Sequence, residues 1–208
     1  EAFIVDHYGN PLTQNACAPP EICEATSLST LHPDFWREKL SIVKFFIDAG
    51  VDGILIDELA KGSVYEMDFN PYNMAAFRQY LLDTYNPEER QKMAKEYGIS
   101  DFTSLDYAAL VRQHLPPGQQ RLTRDEDWEV LSKIPLWGDY ERFKRVKHLE
   151  FARRLVQDGK AYAMQKYGRE MPFSANIFNT TGPEFNAMID DLDYIDVEFS
   201  YRDFGYFP

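Results

Sequence analysis

Short apolar runs alternate along the chain with longer stretches in which apolar residues recur every three or four positions. Residues 3–7 (FIVDH) read as a strand closed by a polar pair, and Tyr8-Gly9-Asn10-Pro11 marks a turn. A loop rich in Pro, Ser and Thr fills 10–33. Pro33 then opens a helix over 34–49, with Phe35, Leu40, Val43, Phe46 and Ile47 at helical spacing and Gly50 as its stop. The run GVDGILIDE predicts a strand at 53–57, and NMAAFRQYLLDTY a helix at 73–85 with Phe77, Leu81 and Tyr85 on one face. Residues 86–138 are less regular, with helical pieces at 88–97 and 104–114 and a break at Pro116-Pro117-Gly118. A long helix at 139–167 ends at Gly168. A strand at 172–178, a helix near 183–190 and a strand at 194–199 complete the pattern.

Strands that alternate with helices specify a parallel sheet of βα units. Each of the four predicted strands ends in polar groups: Asp6-His7, Asp57-Glu58, Asn176 to Asn179, and Glu198. A doubly wound sheet concentrates its ligand at one switch point, whereas a barrel gathers groups from several strand ends. The expected fold is therefore α/β, a (β/α)8 TIM barrel. Eight units take ~250 residues, so residues 1–208 are expected to form a single partial domain, about strands 3 to 6, with a mostly helical insertion at about 86–138. Half a barrel leaves unpaired edges and an uncovered core, so these residues alone are not expected to fold as a stable monomer.

Carboxylates at the end of a buried strand are costly unless that end opens onto water, a metal or a substrate. Adjacent strand residues point to opposite faces, so Asp57 and Glu58 are not expected to serve together as the two reacting groups. One would react while the other orients it; tethering of the following loop is the plainer alternative. Asn176 and Asn179 offer both donors and acceptors suited to ligand hydroxyls, and His7 and Glu198 are further substrate-binding candidates, with structural roles open for each. Trp137, in SKIPLWGDY, is the best candidate for a ligand-stacking platform, whereas Trp36 falls within a helix and suits packing.

The net charge of −12 argues against nucleic acid or anionic membrane as partner. No apolar run approaches the ~20 residues of a membrane span. A hydrophobic fraction of 44% supplies a sizeable core. Cys17 and Cys23 in CAPPEIC suit a short disulfide loop or reduced thiols, and no second Cys or His pair sits at zinc-ligand spacing. Neither metal nor cofactor is expected. Neutral, hydroxyl-rich ligands remain open, and the remainder of the barrel from the same parent protein is an expected partner, with a homo-oligomer also open.

GVDGILIDE, FRQYLLDTY, WGDYERFK, FSANIFN and DYIDVEFS, in this order, resemble the barrel of bacterial glycoside hydrolases, most nearly microbial β-galactosidases and related glycosidase-like proteins. The resemblance implies a carbohydrate substrate, with Asn176, Asn179, His7 and Glu198 facing sugar hydroxyls and Trp137 a sugar ring, and a retaining, two-carboxylate mechanism with Glu58 as general acid/base and a nucleophile beyond residue 208. Asp57 stands where that family carries Asn. GVDGILIDE is also similar to the strand of α-glycosidase barrels in which an Asp is the nucleophile, and that likeness would give the role to Asp57. A non-catalytic carbohydrate-binding barrel is the further alternative.

Overall fold

A computed structural model describes residues 2–15, 24–26, 28–57, 67–116, 128–176 and 190–196. They gather into two compact units, one built from 1–35 and 63–144 and the other from 36–62 and 145–208. The described residues of the stretch expected as an insertion at 86–138 lie within the first unit, together with the N-terminal segment.

In the first unit the predicted strand at 3–7 does not join a parallel sheet. Asp6 explains why. Its carboxylate accepts the amides of Tyr8 (2.8 Å) and Asn10 (2.9 Å), and Gly9 takes φ +89°, so the chain reverses at once. The result is antiparallel bridging of Val5 with Pro11, and of Phe3 with Leu28. Two short strands, β1 (Thr13–Asn15) and β2 (Glu24–Thr26), pair antiparallel within the stretch that reads as loop.

Helices supply the rest of this unit: α2 (Pro71–Thr84), α3 (Pro87–Tyr97), α4 (Tyr107–His114) and α5 (Trp128–Leu131). Their starts are set locally. Asn70 and Asn86 cap α2 and α3 immediately before a proline, and Asp106 caps α4 by accepting the Ala109 amide (2.9 Å). Another helix of this chain, Trp137–Tyr167, adds Tyr140 and Phe143 from its first turns. The Phe77 ring is the hub of this core, with Tyr107, Tyr140 and Phe143 at centroid distances of 4.9, 5.1 and 5.2 Å.

The second unit contains most of α1 (Pro33–Asp48), then β3 (Ile54–Ile56), the greater part of the long helix, here α6 (Trp137–Tyr167), and the strands β4 (Phe173–Asn176) and β5 (Tyr194–Asp196). The strands form a parallel sheet in the order β3-β4-β5. One face, with Ile54, Ile56, Phe173, Ala175 and Ile195, packs on Val43 and Ile47 of α1 and on Leu155, Val156 and Ala163 of α6. The buried stripe of α1 runs Trp36, Leu40, Val43, Ile47. Phe46, expected on that face, is 46% exposed beside Phe45.

Gly159 fixes how closely α6 approaches β4. A Cβ there would lie 2.5 Å from Phe173 Cζ and 3.0 Å from Val43 Cγ1, and Phe173 is fully buried, so its ring has nowhere to swing. Gly159→Ala should therefore destabilise the protein by ~1–3 kcal/mol through overpacking, even though alanine gains ~1 kcal/mol of helix propensity over glycine. A lower urea midpoint with unchanged m-value is the expected result; an unchanged or raised midpoint would show that the ring yields freely.

Candidate functional site

The register of the parallel sheet decides what shares its carboxyl edge. Ile56 pairs with Ala175, Ala175 with Ile195, and Asn176 with Asp196. Asp57, the next residue after Ile56, therefore stands level with Asn176 and Asp196. Strand alternation puts positions 57, 176 and 196 on the face shared by Leu55, Ser174 and Tyr194. That face is opposite the helices: Leu55 is 56% and Tyr194 68% exposed, and Asp57 is exposed at the turn that leaves β3.

Two of the sequence-predicted residues, Asp57 and Asn176, thus meet on one edge of one sheet. Glu58, Asn179 and Glu198 lie outside the described residues, as do Cys17 and Cys23. Position 196 was passed over in the sequence because the strand reads as running to 199, with Glu198 as its polar end. The available signal was the parity of DYIDVEF against the FSAN strand.

His7 and Trp137 belong to the first unit, and both are buried, at 1% and 4% exposure. The His7 ring lies against Tyr8 (4.4 Å between centroids) and edge-on to Phe69 (5.8 Å), while its backbone carbonyl accepts from Arg112. Trp137 packs in the aromatic core beside Tyr140, with the Lys144 ammonium 5.7 Å from its ring centroid. As placed, neither ring presents a face to a sugar. Trp36 packs edge-on to Phe151, with the Arg154 guanidinium over its ring at 4.3 Å.

The first unit also buries a carboxyl that sequence reading left in a loop. Asp68 is 1% exposed. Its oxygens accept from the amides of Asn70 (2.9 Å) and Val5 (3.4 Å) and from the Asn73 side chain. The Tyr140 hydroxyl closes the group, accepting from the Asp68 amide (3.0 Å) and donating to the Asp68 carbonyl (2.7 Å). Phe69 and Asn70 extend the pairing, donating to the carbonyls of Val5 (3.0 Å) and Phe3 (2.8 Å). Burial pushes the Asp68 carboxyl above its ordinary range, against the opposing pull of its Asn70, Val5 and Asn73 donors. The Asp-Phe-Asn-Pro spacing before α2 was the sequence signal for this turn.

In the second unit Asp193 ties β5 to β4. Its carboxylate accepts the Phe173 amide and the Lys160 ammonium, both at 2.8 Å. Partial burial would raise this carboxyl, but those two donors outweigh it and hold it below its usual value. Among the described residues no cluster of three or more His, Cys, Asp or Glu is arranged to hold a metal ion, and no helix is long and apolar enough to cross a membrane.

With this geometry in place, comparison with known proteins gives one informative likeness. The chain is similar to the α-agarase of Alteromonas agarilytica, 29% identical over 174 residues that make up 78% of this chain. The chain spans 11% of that agarase. The likeness is thus to part of a glycoside hydrolase. No family model matches, and no solved structure matches.

The raised Asp68 carboxyl gives a sign-definite pH prediction. Between the ordinary value of 3.8 and its higher folded value, the native state keeps a proton that the unfolded chain releases, so stability falls as pH rises through that window. Asp68→Asn should flatten this slope in urea titrations repeated across pH. Asp68→Ala, which strands buried donors at ~1–3 kcal/mol each, should cost at least ~2 kcal/mol at every pH. Parallel pH profiles for wild type and Asp68→Asn would contradict the assignment.

Proposed function

We propose that the carboxyl edge of the parallel sheet is part of the active site of a glycoside hydrolase that acts on an agarose-like polysaccharide, with Asp57 as a reacting carboxylate. The observation that carries this reading is the alignment of positions 57, 176 and 196 on the helix-free face of one edge. In a (β/α)8 barrel that face is the interior and that edge is the catalytic end. The partial barrel remains our reading of how the sheet is completed, by further strands of the parent protein. The likeness to an α-agarase, named for its action on agarose, supports both the reaction class and the polymer.

Glycoside cleavage needs one group to protonate the leaving oxygen and one carboxylate to attack or to activate water. Neighbouring strands lie ~4.8 Å apart, which separates the backbone at 57 and 196 by ~10 Å. A retaining pair stands ~5–5.5 Å apart and an inverting one ~6.5–9.5 Å. An asparagine level with them supplies donor and acceptor for a sugar hydroxyl. The acidic balance of the chain, −12 overall, is compatible with a neutral polysaccharide.

The GVDGILIDE motif supports a second reading, a retaining β-galactosidase-like enzyme in which Glu58 is the general acid/base. The two differ in substrate dependence. In the full-length protein, Asp57→Asn should lower kcat at least ~1000-fold (about 4 kcal/mol of barrier) on agarose and on an activated aryl glycoside alike, because a nucleophile is needed for every substrate. The second reading demands instead that Glu58→Gln spare the activated glycoside and impair the natural one, since a good leaving group needs little protonation. If neither substitution lowers activity tenfold (~1.4 kcal/mol), the edge is not catalytic and a non-hydrolytic carbohydrate-binding role takes its place.

A further inference from the structure

Helix α1 carries a second apolar stripe besides the one that packs on the sheet. Ile42, Phe45 and Phe46 are 41%, 67% and 46% exposed, and the two phenylalanine rings adjoin at 5.6 Å between centroids. Ala49 extends the row, its amide donating to the Phe45 carbonyl (2.9 Å). The spacing i, i+3, i+4, i+7 is that of a helix face that becomes covered. Contiguous apolar surface marks a contact, whereas single exposed residues do not.

The neighbours of α1 show which way the stripe points. The Lys44 ammonium lies over the Tyr162 ring (4.9 Å) and Asp48 accepts from Lys166 (2.8 Å), so that flank of α1 meets α6. At about 100° per residue, positions 42, 46 and 49 lie about 60–120° from Val43 on the side away from Lys44, with 45 just beyond them. The far side of α6 is tied to the start of β5, through Arg153 to Asp191 (2.6 Å) and Lys160 to Asp193 (2.8 Å). The helix layer therefore runs from the β5 side through α6 to α1, and the stripe forms its outer flank on the β3 side. On that side the second edge of β3 has no partner strand among the described residues.

A parallel strand reaches a sheet through a crossover, usually a helix, that packs on the sheet face. A strand added to the free edge of β3 would bring its helix beside α1, at the ~8–10 Å of packed helices. The bare edge and the apolar stripe thus fit one and the same βα unit. A second copy of this chain fits less well, because a twofold axis at the stripe would set its β3 antiparallel to this one, against the parallel ladder of the sheet. We propose that Ile42, Phe45, Phe46 and Ala49 receive an amphipathic helix of the same polypeptide, from outside residues 1–208, that runs parallel to α1 and belongs to the βα unit continuing the sheet past β3. This rests on the reading that further strands of the parent protein complete the sheet, and not on which edge residue reacts.

The test is photocross-linking in the full-length protein with benzoylphenylalanine in place of Phe45, a substitution that keeps an aromatic ring; Phe46 is the second position, should the first variant not fold. Irradiation should join the probe to another part of the same chain, outside residues 1–208, in a segment whose apolar residues recur every three or four positions. A cross-linked dimer on a denaturing gel would give the stripe to a second copy and overturn the proposal. A link to residues within 1–208, or no link at all, would overturn it as well. The Asp57→Asn assay is run beside it. An inactive Asp57→Asn with no cross-link leaves the catalytic edge standing without this contact, whereas the expected cross-link with a fully active Asp57→Asn leaves the contact standing and removes the edge.

Discussion

The contact of Phe173 with Gly159 sets the geometry on which the second unit depends. A parallel sheet must bury a face, and here β4 does so by laying a fully buried ring on the only type of residue that lets helix α6 come so near. Once β4 is seated, hydrogen-bonded register carries β3 and β5 with it. Which positions stand at the carboxyl edge, and which face they share, then follows from two-residue alternation alone.

The two units solve the problem of buried polar groups differently. In the first, a carboxyl is sunk among donors, and its backbone is clasped by a tyrosine hydroxyl, so the turn before α2 and the N-terminal hairpin are fixed by one polar knot. In the second, the charged groups stay near the surface and work as ties. Asp48, at the end of α1, accepts from Lys166 (2.8 Å), Tyr167 (2.8 Å) and Tyr162 (2.9 Å), all from the last turns of α6. Those donors, Lys166 foremost, hold the Asp48 carboxyl below its usual value.

Helices were legible in the sequence wherever their signals are local. Pro33, Asn70-Pro71, Asn86-Pro87 and Gly168 mark starts and stops that depend on neighbours a few residues away, and the observed ends lie within a few residues of those read from the pattern. The run at 3–7 was not legible in this way. Five residues do not name their partner, and a side chain of the run itself, Asp6, closes the reversal. Asp57 and Asn176 could be placed at strand ends from composition, yet Asp196 required the register, a long-range property. Trp137 shows the same limit: a tryptophan before a helix reads equally as a ligand platform or as core, and only the packing of Tyr140 and its neighbours decides.

Asp193 has a consequence for how the chain yields to acid. Its carboxylate is held below the ordinary value, so its tie between β5 and β4 is intact above about 3.8 and is lost as pH falls through its folded value. Asp68 behaves in the opposite sense, since protonation relieves a charge that burial opposes. Acidification thus eases the first unit above about 3.8 and slackens the second only below it. Below that value the amide of Phe173, which loses its charged acceptor as Asp193 is protonated, should exchange its hydrogen with water faster.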